Sequence, residues 1–223
     1  MIDNHSNALT PVENTRQLIR PVLVSAALFM LLTGLAYPLA TTALARLLFP
    51  AQAGGSLIGH DGAWSGSAVI GQDFKQPQYF HARPSATTGP DPANPSQSVD
   101  QPYNAALSGA SNLGPTSKKL FDQVSARAIA YRQENGLAAT AMVPVDAVTA
   151  SASGLDPDIS LANAQLQVER VARARGWPAQ SLQARVDEQA TPRQLGVLGE
   201  PRVNVLKLNL ALDALAAPSA AVK

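Results

Sequence analysis

The sequence predicts a single N-terminal transmembrane helix followed by an α+β domain that is rich in helix and has a small sheet. Three observations predict this class. Residues 21–45 form a run of 25 residues without a charged side chain. The 178 residues that follow, 46–223, suit one domain, because domains usually hold about 100–200 residues. Most periodic segments in these residues have helical rather than alternating spacing.

The apolar run is long enough to cross a membrane. At about 1.5 Å per residue, a helix of this length reaches roughly 37 Å, more than the hydrocarbon core of about 30 Å. Ala43-Leu44-Ala45 resembles a signal-peptide cleavage site, but the apolar core of a signal peptide has only about 7–15 residues. The length therefore favours a membrane anchor. Pro38 should kink or loosen its last turns, which a membrane helix tolerates.

The basic residues at the two ends of the run predict its orientation. Arg16 and Arg20 precede it, whereas Arg46 follows it and the next basic residue is Lys75. Because basic residues are retained on the cytoplasmic side, residues 1–20 are predicted to be a cytoplasmic tail. The domain is then periplasmic, and the chain is a single-pass protein of a bacterial inner membrane.

Composition excludes several classes of function. Lys and Arg number 17 against 16 Asp and Glu, so there is no basic excess of the kind that binds nucleic acid. The chain has no cysteine, which excludes disulfides, cysteine zinc sites and thiol nucleophiles. Only 15% of the residues are charged, well below the usual quarter or so.

The first part of the domain is rich in glycine and proline. Residues 62–71 alternate loosely between turns and predict a short strand. Residues 88–96 contain three prolines and predict a loop, because proline removes a backbone donor and restrains the residue before it.

Four further elements follow. Residues 115–136 predict a helix that Thr116 or Ser117 caps and a glycine stops. Residues 145–150 could form a strand. Residues 160–176 predict a second helix, from a serine cap to a glycine stop, and residues 181–189 a short third one.

The last periodic segment is ambiguous. Residues 203–213 have both helical and alternating apolar spacings. Leucine, alanine and lysine favour helix, so helix is the preferred interpretation of this segment.

Motifs for catalysis and metal binding are not found. Gly109 and Gly114 have phosphate-loop spacing, but Pro115 follows where that loop needs lysine. Asp156 and Asp158 lack the further oxygen ligands of a calcium loop, and a proline-set turn that caps the second helix explains them. The histidines lack metalloprotease spacing and no nucleophile elbow exists. We therefore predict neither catalytic residues nor a metal site.

Gln167 and Arg170 lie one turn apart on the predicted second helix, with Arg173 one turn further. From the residues alone, a solvated polar face of that helix is the preferred interpretation.

Five segments of the sequence form a distinctive ordered set, namely 79–85, 108–117, 145–160, 167–176 and 198–213. Together they resemble a known family, the small C subunit of the Kdp-type potassium-transporting ATPase of bacteria. The resemblance extends from about residue 20 to residue 213.

The resemblance implies an accessory, non-catalytic subunit of an ATP-driven potassium uptake complex. Its partners would be a potassium-channel-like transport subunit, a P-type ATPase catalytic subunit and a small peptide subunit. The family's C subunit is needed for assembly and activity and has been given a role in raising ATP affinity. Carried over, this role makes Gln167 and Arg170 the candidate nucleotide contacts, with ATP reached through the complex. The predicted contacts of the anchor with partner helices are Leu28, Leu31, Leu32 and Leu35.

The residues limit what this role can be. The chain has no Asp-Lys-Thr-Gly phosphorylation motif and no Thr-Val-Gly-Tyr-Gly filter, so it neither hydrolyses ATP nor selects potassium by itself. The predicted orientation also places Gln167 outside, whereas ATP is cytoplasmic. Either the orientation is wrong or the effect on ATP is indirect.

We favour an external cap that docks on the transport subunit. The alternative is a membrane-anchored periplasmic binding protein or enzyme acting alone.

Overall fold

A computed structural model describes residues 15–60 and 63–216 of the chain. Most of the predicted cytoplasmic tail and the last seven residues lie outside this part. The described residues fall into two units that divide after Gly55.

The first unit is helical and apolar. Residues 18–48 form one candidate span of 31 residues with a mean hydropathy of 2.0, and none of its most apolar stretch is buried. The length and composition suit a membrane helix. Its elements are helix α1 (Thr15–Leu31), a π-helical turn (Leu32–Ala36), helix α2 (Tyr37–Leu48) and helix α3 (Pro50–Ala53).

Proline loosens this helix, as predicted, but just before Pro38 rather than in the last turns. The Tyr37 N–H bonds the Leu32 carbonyl, five residues back. Proline lacks an N–H, and its ring crowds the carbonyl four residues earlier. The backbone therefore widens into a single π-helical turn, a common form of helix irregularity.

The second unit is rich in helix, as expected, and has three small antiparallel sheets where the sequence predicted one small sheet. These are the hairpins β1–β2 and β3–β4 and a three-stranded sheet in the order β5-β7-β6. Its helices are α4 (Lys118–Glu134), α5 (Val145–Val148), α6 (Leu161–Arg175), α7 (Ala179–Gln189) and α8 (Val205–Ala216). Its strands are β1 (Leu57–His60), β2 (Ala63–Ser67), β3 (Thr88–Pro90), β4 (Ser98–Asp100), β5 (Asp158–Ser160), β6 (Ala190–Thr191) and β7 (Arg202–Asn204).

The hydrophobic core lies where α6, α7 and α8 pack with the three-stranded sheet and with Phe80 from an irregular segment. Each helix contributes apolar residues one turn apart, as an amphipathic helix does. The fully buried side chains include Ile159, Val171, Leu182, Val186, Val203, Leu208 and Leu212.

The predicted helix boundaries are confirmed where a cap defines them. The Ser117 hydroxyl accepts from the Leu120 N–H at 3.4 Å and begins α4. The Ser160 hydroxyl accepts from the Asn163 N–H at 3.1 Å and begins α6. Gly176 ends α6 with φ of 67°, a left-handed conformation that glycine adopts without strain.

Two predictions are wrong. Residues 145–150, predicted as a strand, begin with helix α5, whose Asp146 accepts hydrogen bonds from the Ser160 N–H and hydroxyl. Residues 88–96, predicted as a loop, begin with β3, and Pro90 ends that strand opposite Ser98, a position that proline tolerates.

The ambiguous segment 203–213 is mostly helical, because β7 ends at Asn204 and α8 continues from Val205. The predicted proline-set turn that caps the second helix is wrong, because Asp156 and Pro157 are irregular and Asp158 begins β5. Asp156 bonds Arg83, and the cap of α6 is Ser160 itself.

Core packing gives a first prediction. Leu208→Ala should lower the free energy of unfolding by about 2–5 kcal/mol, because it opens a cavity at a fully buried site. Leu195→Ala, at a well exposed leucine, should change it by less than about 0.5 kcal/mol. Urea unfolding of the detergent-solubilised full chain, followed by circular dichroism, measures both. Equal losses in the two variants would contradict this core.

Candidate functional site

Residues 77–81, which we call the clamped segment, run between α6 and α8 without a neighbouring strand. Phe80 lies at their centre and its side chain is fully buried. A backbone that enters a core must still satisfy its polar groups. Side chains of the two helices do so.

Two side-chain amides take the place of a neighbouring strand. The His81 N–H donates to Gln167 Oε1 at 2.7 Å, and Gln167 Nε2 donates back to the His81 carbonyl at 3.1 Å. Asn209, on α8, makes the same pair of bonds with Phe80, at 2.9 and 3.0 Å. Each amide therefore satisfies both backbone groups of one residue, as strand pairing does.

Two arginines of α6 bind the rest of the clamped segment. Arg170 Nη1 donates to the carbonyls of Pro77 and Tyr79, at 2.8 and 2.9 Å. Arg175 Nε donates to the Gln78 carbonyl at 2.8 Å. All five carbonyls of the clamped segment thus accept a hydrogen bond from a side chain of α6 or α8.

The remaining donors of Arg170 are also directed inside the domain. Its Nη2 donates to Gln167 Oε1 at 2.7 Å and its Nε to Asn135 Oδ1 at 3.0 Å. Burial lowers the pKa of Arg170, because desolvation disfavours the charged form. The guanidinium fork holds several fixed acceptors at once, which is the geometry that arginine provides and lysine does not.

Asn163 extends this network from α6 to α4 and α5. Its Oδ1 accepts from the Tyr131 hydroxyl at 2.8 Å and from Gln167 Nε2 at 2.9 Å. Its Nδ2 donates to Asp146 at 3.0 Å. Burial raises the pKa of Tyr131, so its hydroxyl stays protonated and donates.

The His81 ring connects the clamped segment to α4. Its Nδ1 lies 2.9 Å from Glu134 Oε1, and its Nε2 lies 3.1 Å from the Gln76 carbonyl. Each ring nitrogen of His81 therefore has an oxygen atom of the domain as its neighbour. The hydrogen bond from His81 lowers the pKa of Glu134.

A cleft of about 450 Å³ opens beside this network. Its cationic side chains are already bonded: Lys75 to Asp73 at 2.9 Å, Arg83 to Asp156 at 2.8 Å, and Arg127 to a backbone carbonyl at 3.2 Å. Two of these three cations are therefore paired with a carboxylate, and the third with a backbone carbonyl. The described residues contain no group of three or more metal-ligating side chains.

The predicted site residues lie in this network. Gln167 is 1% exposed and Arg170 is 6% exposed, so the prediction of a solvated polar face is wrong for both residues. Of the three residues predicted on that face, only Arg173 is exposed. The reason is that the clamped segment, with its unpaired backbone, packs against this side of α6. Gln167 lines the cleft, whereas Arg170 does not. Their contact with nucleotide stays a prediction.

The sequence analysis missed the asparagines of the network. Asn209 stands between Leu208 and Leu210 in a leucine-rich helix, and a polar residue at such a position signals a buried hydrogen bond. The four anchor leucines are exposed, and their contact with partner helices stays a prediction. They are Leu28, Leu31, Leu32 and Leu35.

Comparison with known proteins identifies the family. A family model described as "K+-transporting ATPase, c chain" matches residues 19–214. The potassium-transporting ATPase KdpC subunit of Rhodopseudomonas palustris is 57% identical over 198 residues, 89% of this chain and 97% of that protein. The subunit of the same name from Bradyrhizobium diazoefficiens is 57% identical over 199 residues, 89% and 98% of the two chains. In Methylobacterium nodulans the figures are 56% over 200 residues, 90% and 98%.

The chain therefore belongs to the family of the c chain of the K+-transporting ATPase. The resemblance inferred from the sequence is confirmed.

The side-chain hydrogen bonds that hold the clamped segment, which we call the clamp, give a second prediction. Gln167→Leu should lower the free energy of unfolding by about 3 kcal/mol, because it leaves several buried groups without a partner at about 1–3 kcal/mol each. Gln165→Leu makes the same change at an exposed position of the same helix and should cost less than about 0.5 kcal/mol. Urea unfolding of the full chain compares them. A Gln167 variant as stable as the Gln165 variant would mean that the clamp contributes little.

The pair of His81 and Glu134 gives a third prediction, on pH. Because the pKa of Glu134 is lowered in the folded protein, its ionised form stabilises the fold above its unfolded pKa of about 4.3. That contribution disappears as the pH falls through the folded pKa. The stability difference between wild type and Glu134→Gln should therefore be largest near neutral pH and vanish in acid.

Unfolding midpoints between about pH 3 and 7 measure this difference. His81 faces Glu134, and Arg170 also acts on its carboxylate. Glu169→Gln, at an exposed site of α6, is the matched control and should show a smaller, flatter difference. A Glu134 profile no steeper than this control would rule out the pair as a stabilising contact.

Proposed function

We propose that this chain is the accessory C subunit of a bacterial high-affinity, ATP-driven potassium uptake complex, which it assembles and stabilises. The observation that carries the proposal is the extent of the family match, which covers residues 19–214 and so includes both the apolar helix and the folded domain. The relatives are named as subunits of a potassium-transporting ATPase. The chain itself lacks the phosphorylation and filter motifs, so hydrolysis and ion selection belong to its partners.

The proposed topology has residues 1–20 in the cytoplasm, 21–45 across the inner membrane and 46–223 in the periplasm. The apolar helix supports this arrangement, because its most apolar stretch finds no cover in the protein. Lipid or partner helices must supply that cover. Arg16 and Arg20, ahead of the span, favour a cytoplasmic N-terminus.

In the complex, the domain caps or supports the potassium-channel-like transport subunit from outside. The hydrogen-bonded clamp suits this role, because α4, α6 and α8 are tied to one segment and can present a defined surface. The P-type catalytic subunit and the small peptide subunit complete the assembly. Anchor and domain then act as two points of attachment.

We assign any effect of Gln167 and Arg170 on ATP affinity to an indirect route through the complex. Their amide and guanidinium groups hold the clamped segment, and both side chains lie in the domain proposed to be outside. A change at either residue would alter the surface presented to the partners. Labelling of α6 in the isolated full chain by a photoreactive ATP analogue would contradict this route.

Assembly gives a fourth prediction. The chain should co-purify with the other subunits from detergent-solubilised membranes. Leu28→Ala combined with Leu32→Ala should weaken that association, since packing contacts drive helix pairing in lipid. Leu23→Ala combined with Met30→Ala, on other sides of α1 by helical spacing, should weaken it less.

The readouts are the subunit ratio after purification and growth on limiting potassium. A wild-type chain that purifies alone, while growth on limiting potassium does not require it, would overturn the proposed function. Equal effects of the two double variants would overturn only the assignment of the contact face.

A further inference from the structure

The hairpin β1–β2 exposes an aromatic side chain near its tip and an apolar side chain at its base. Trp64 is 71% exposed and Leu57 is 51% exposed. Large apolar groups exposed together mark an interaction surface more often than single ones do.

The exposed indole lies close to Gly59 of the paired strand. Trp64 lies opposite Gly59, and a Cβ atom on Gly59 would come within 2.9 Å of the indole atom Cε3. The base of the hairpin is bonded to the domain: Gln72 Nε2 donates to the Ser65 carbonyl at 2.7 Å, and Asn204 Nδ2 donates to the Ala68 carbonyl at 2.9 Å. These bonds hold the hairpin backbone that carries the indole to the domain.

The chemistry around the hairpin fits a lipid surface. Between Arg46 and Asp73, Asp61 is the only Asp, Glu, Lys or Arg, although 15% of the whole chain is charged. Tryptophan concentrates at the boundary between hydrocarbon and water, where its ring is apolar and its N–H can reach polar groups. An uncharged hairpin with an exposed tryptophan matches that boundary.

The covalent connection keeps the hairpin near the membrane. Only residues 49–56 separate α2 from β1, and eight residues reach at most about 28 Å when fully extended. None of the eight is charged. A hairpin tied this closely to a membrane helix stays within reach of the lipid headgroups.

We propose that the β1–β2 hairpin inserts Trp64 into the headgroup region of the bilayer, on the side where the domain lies. This inference rests on the proposed function, because it needs the anchor to be in the membrane. The contact gives the domain a second attachment to the lipid and fixes the height of this hairpin above the hydrocarbon. The occupant of the tip is phospholipid and not a partner protein.

Tryptophan fluorescence tests the contact, because the chain has only two tryptophans, Trp64 and Trp177. The full chain is reconstituted into phosphatidylcholine–phosphatidylglycerol vesicles with brominated phosphatidylcholine, which quenches nearby indoles. In Trp177→Phe, which keeps Trp64, emission should fall more with bromines near the headgroup end of the acyl chain than with bromines near its terminus. Trp64→Phe, which keeps Trp177, is the matched control and should lose little emission.

A separate variant tests the anchor. Leu32→Trp in a background without the two native tryptophans should be quenched most by bromines deep in the acyl chain. If this reporter is quenched and Trp64 is not, the lipid contact is overturned and the anchor stands. If this reporter is not quenched, the proposed membrane helix itself fails.

Two further outcomes are distinguished. If Trp177→Phe folds poorly by circular dichroism, the difference in quenching between wild type and Trp64→Phe gives the signal of Trp64 in a chain that keeps Trp177. If Trp64 is unquenched by lipid while Trp64→Gln abolishes co-purification with the transport subunits, the tip binds protein and the inference is wrong.

Discussion

Five consecutive backbone carbonyls, those of residues 77–81, are satisfied by side chains instead of a neighbouring strand, and the rest of the domain depends on this arrangement. Without these partners, each buried polar group would cost about 1–3 kcal/mol. Gln167 and Asn209 each bond both backbone groups of one residue, so Phe80 can enter the core between α6 and α8. The hydrophobic contacts of Phe80 and the polar bonds around it therefore form together.

The same constraint determines what the cleft and its surroundings can do. Arg170 and Gln167 have their hydrogen-bonding groups directed at the protein, and Lys75 and Arg83, at the cleft, are each paired with a carboxylate of the domain. What the network supplies is a fixed relation between α4, α6 and α8, which is what a subunit that docks on partners needs.

The sequence could predict the parts of the fold that local chemistry decides. Ser160 and Gly176 mark the ends of α6, and the uncharged run marks the candidate membrane helix. It could not predict the clamp, because helical periodicity identifies inward positions by their apolar character. Gln167 shares a buried side of α6 with apolar residues, and its partner His81 lies 86 positions away in sequence. Residues 145–150 were misassigned because β-branched valines favour a strand, whereas tertiary bonds to Asp146 accompany a short helix.

The proposed external-cap role depends on which side of the membrane carries the domain, since ATP and the periplasmic face of a transport subunit are on opposite sides. The chain has no cysteine, so single cysteines report position without background. Ser96→Cys, in an exposed turn of the domain, and Ser6→Cys, in the N-terminal tail, can be treated in intact spheroplasts with a membrane-impermeant maleimide. The account predicts labelling at residue 96 before lysis and at residue 6 only after it. The reverse pattern would place the domain in the cytoplasm and contradict the external-cap role.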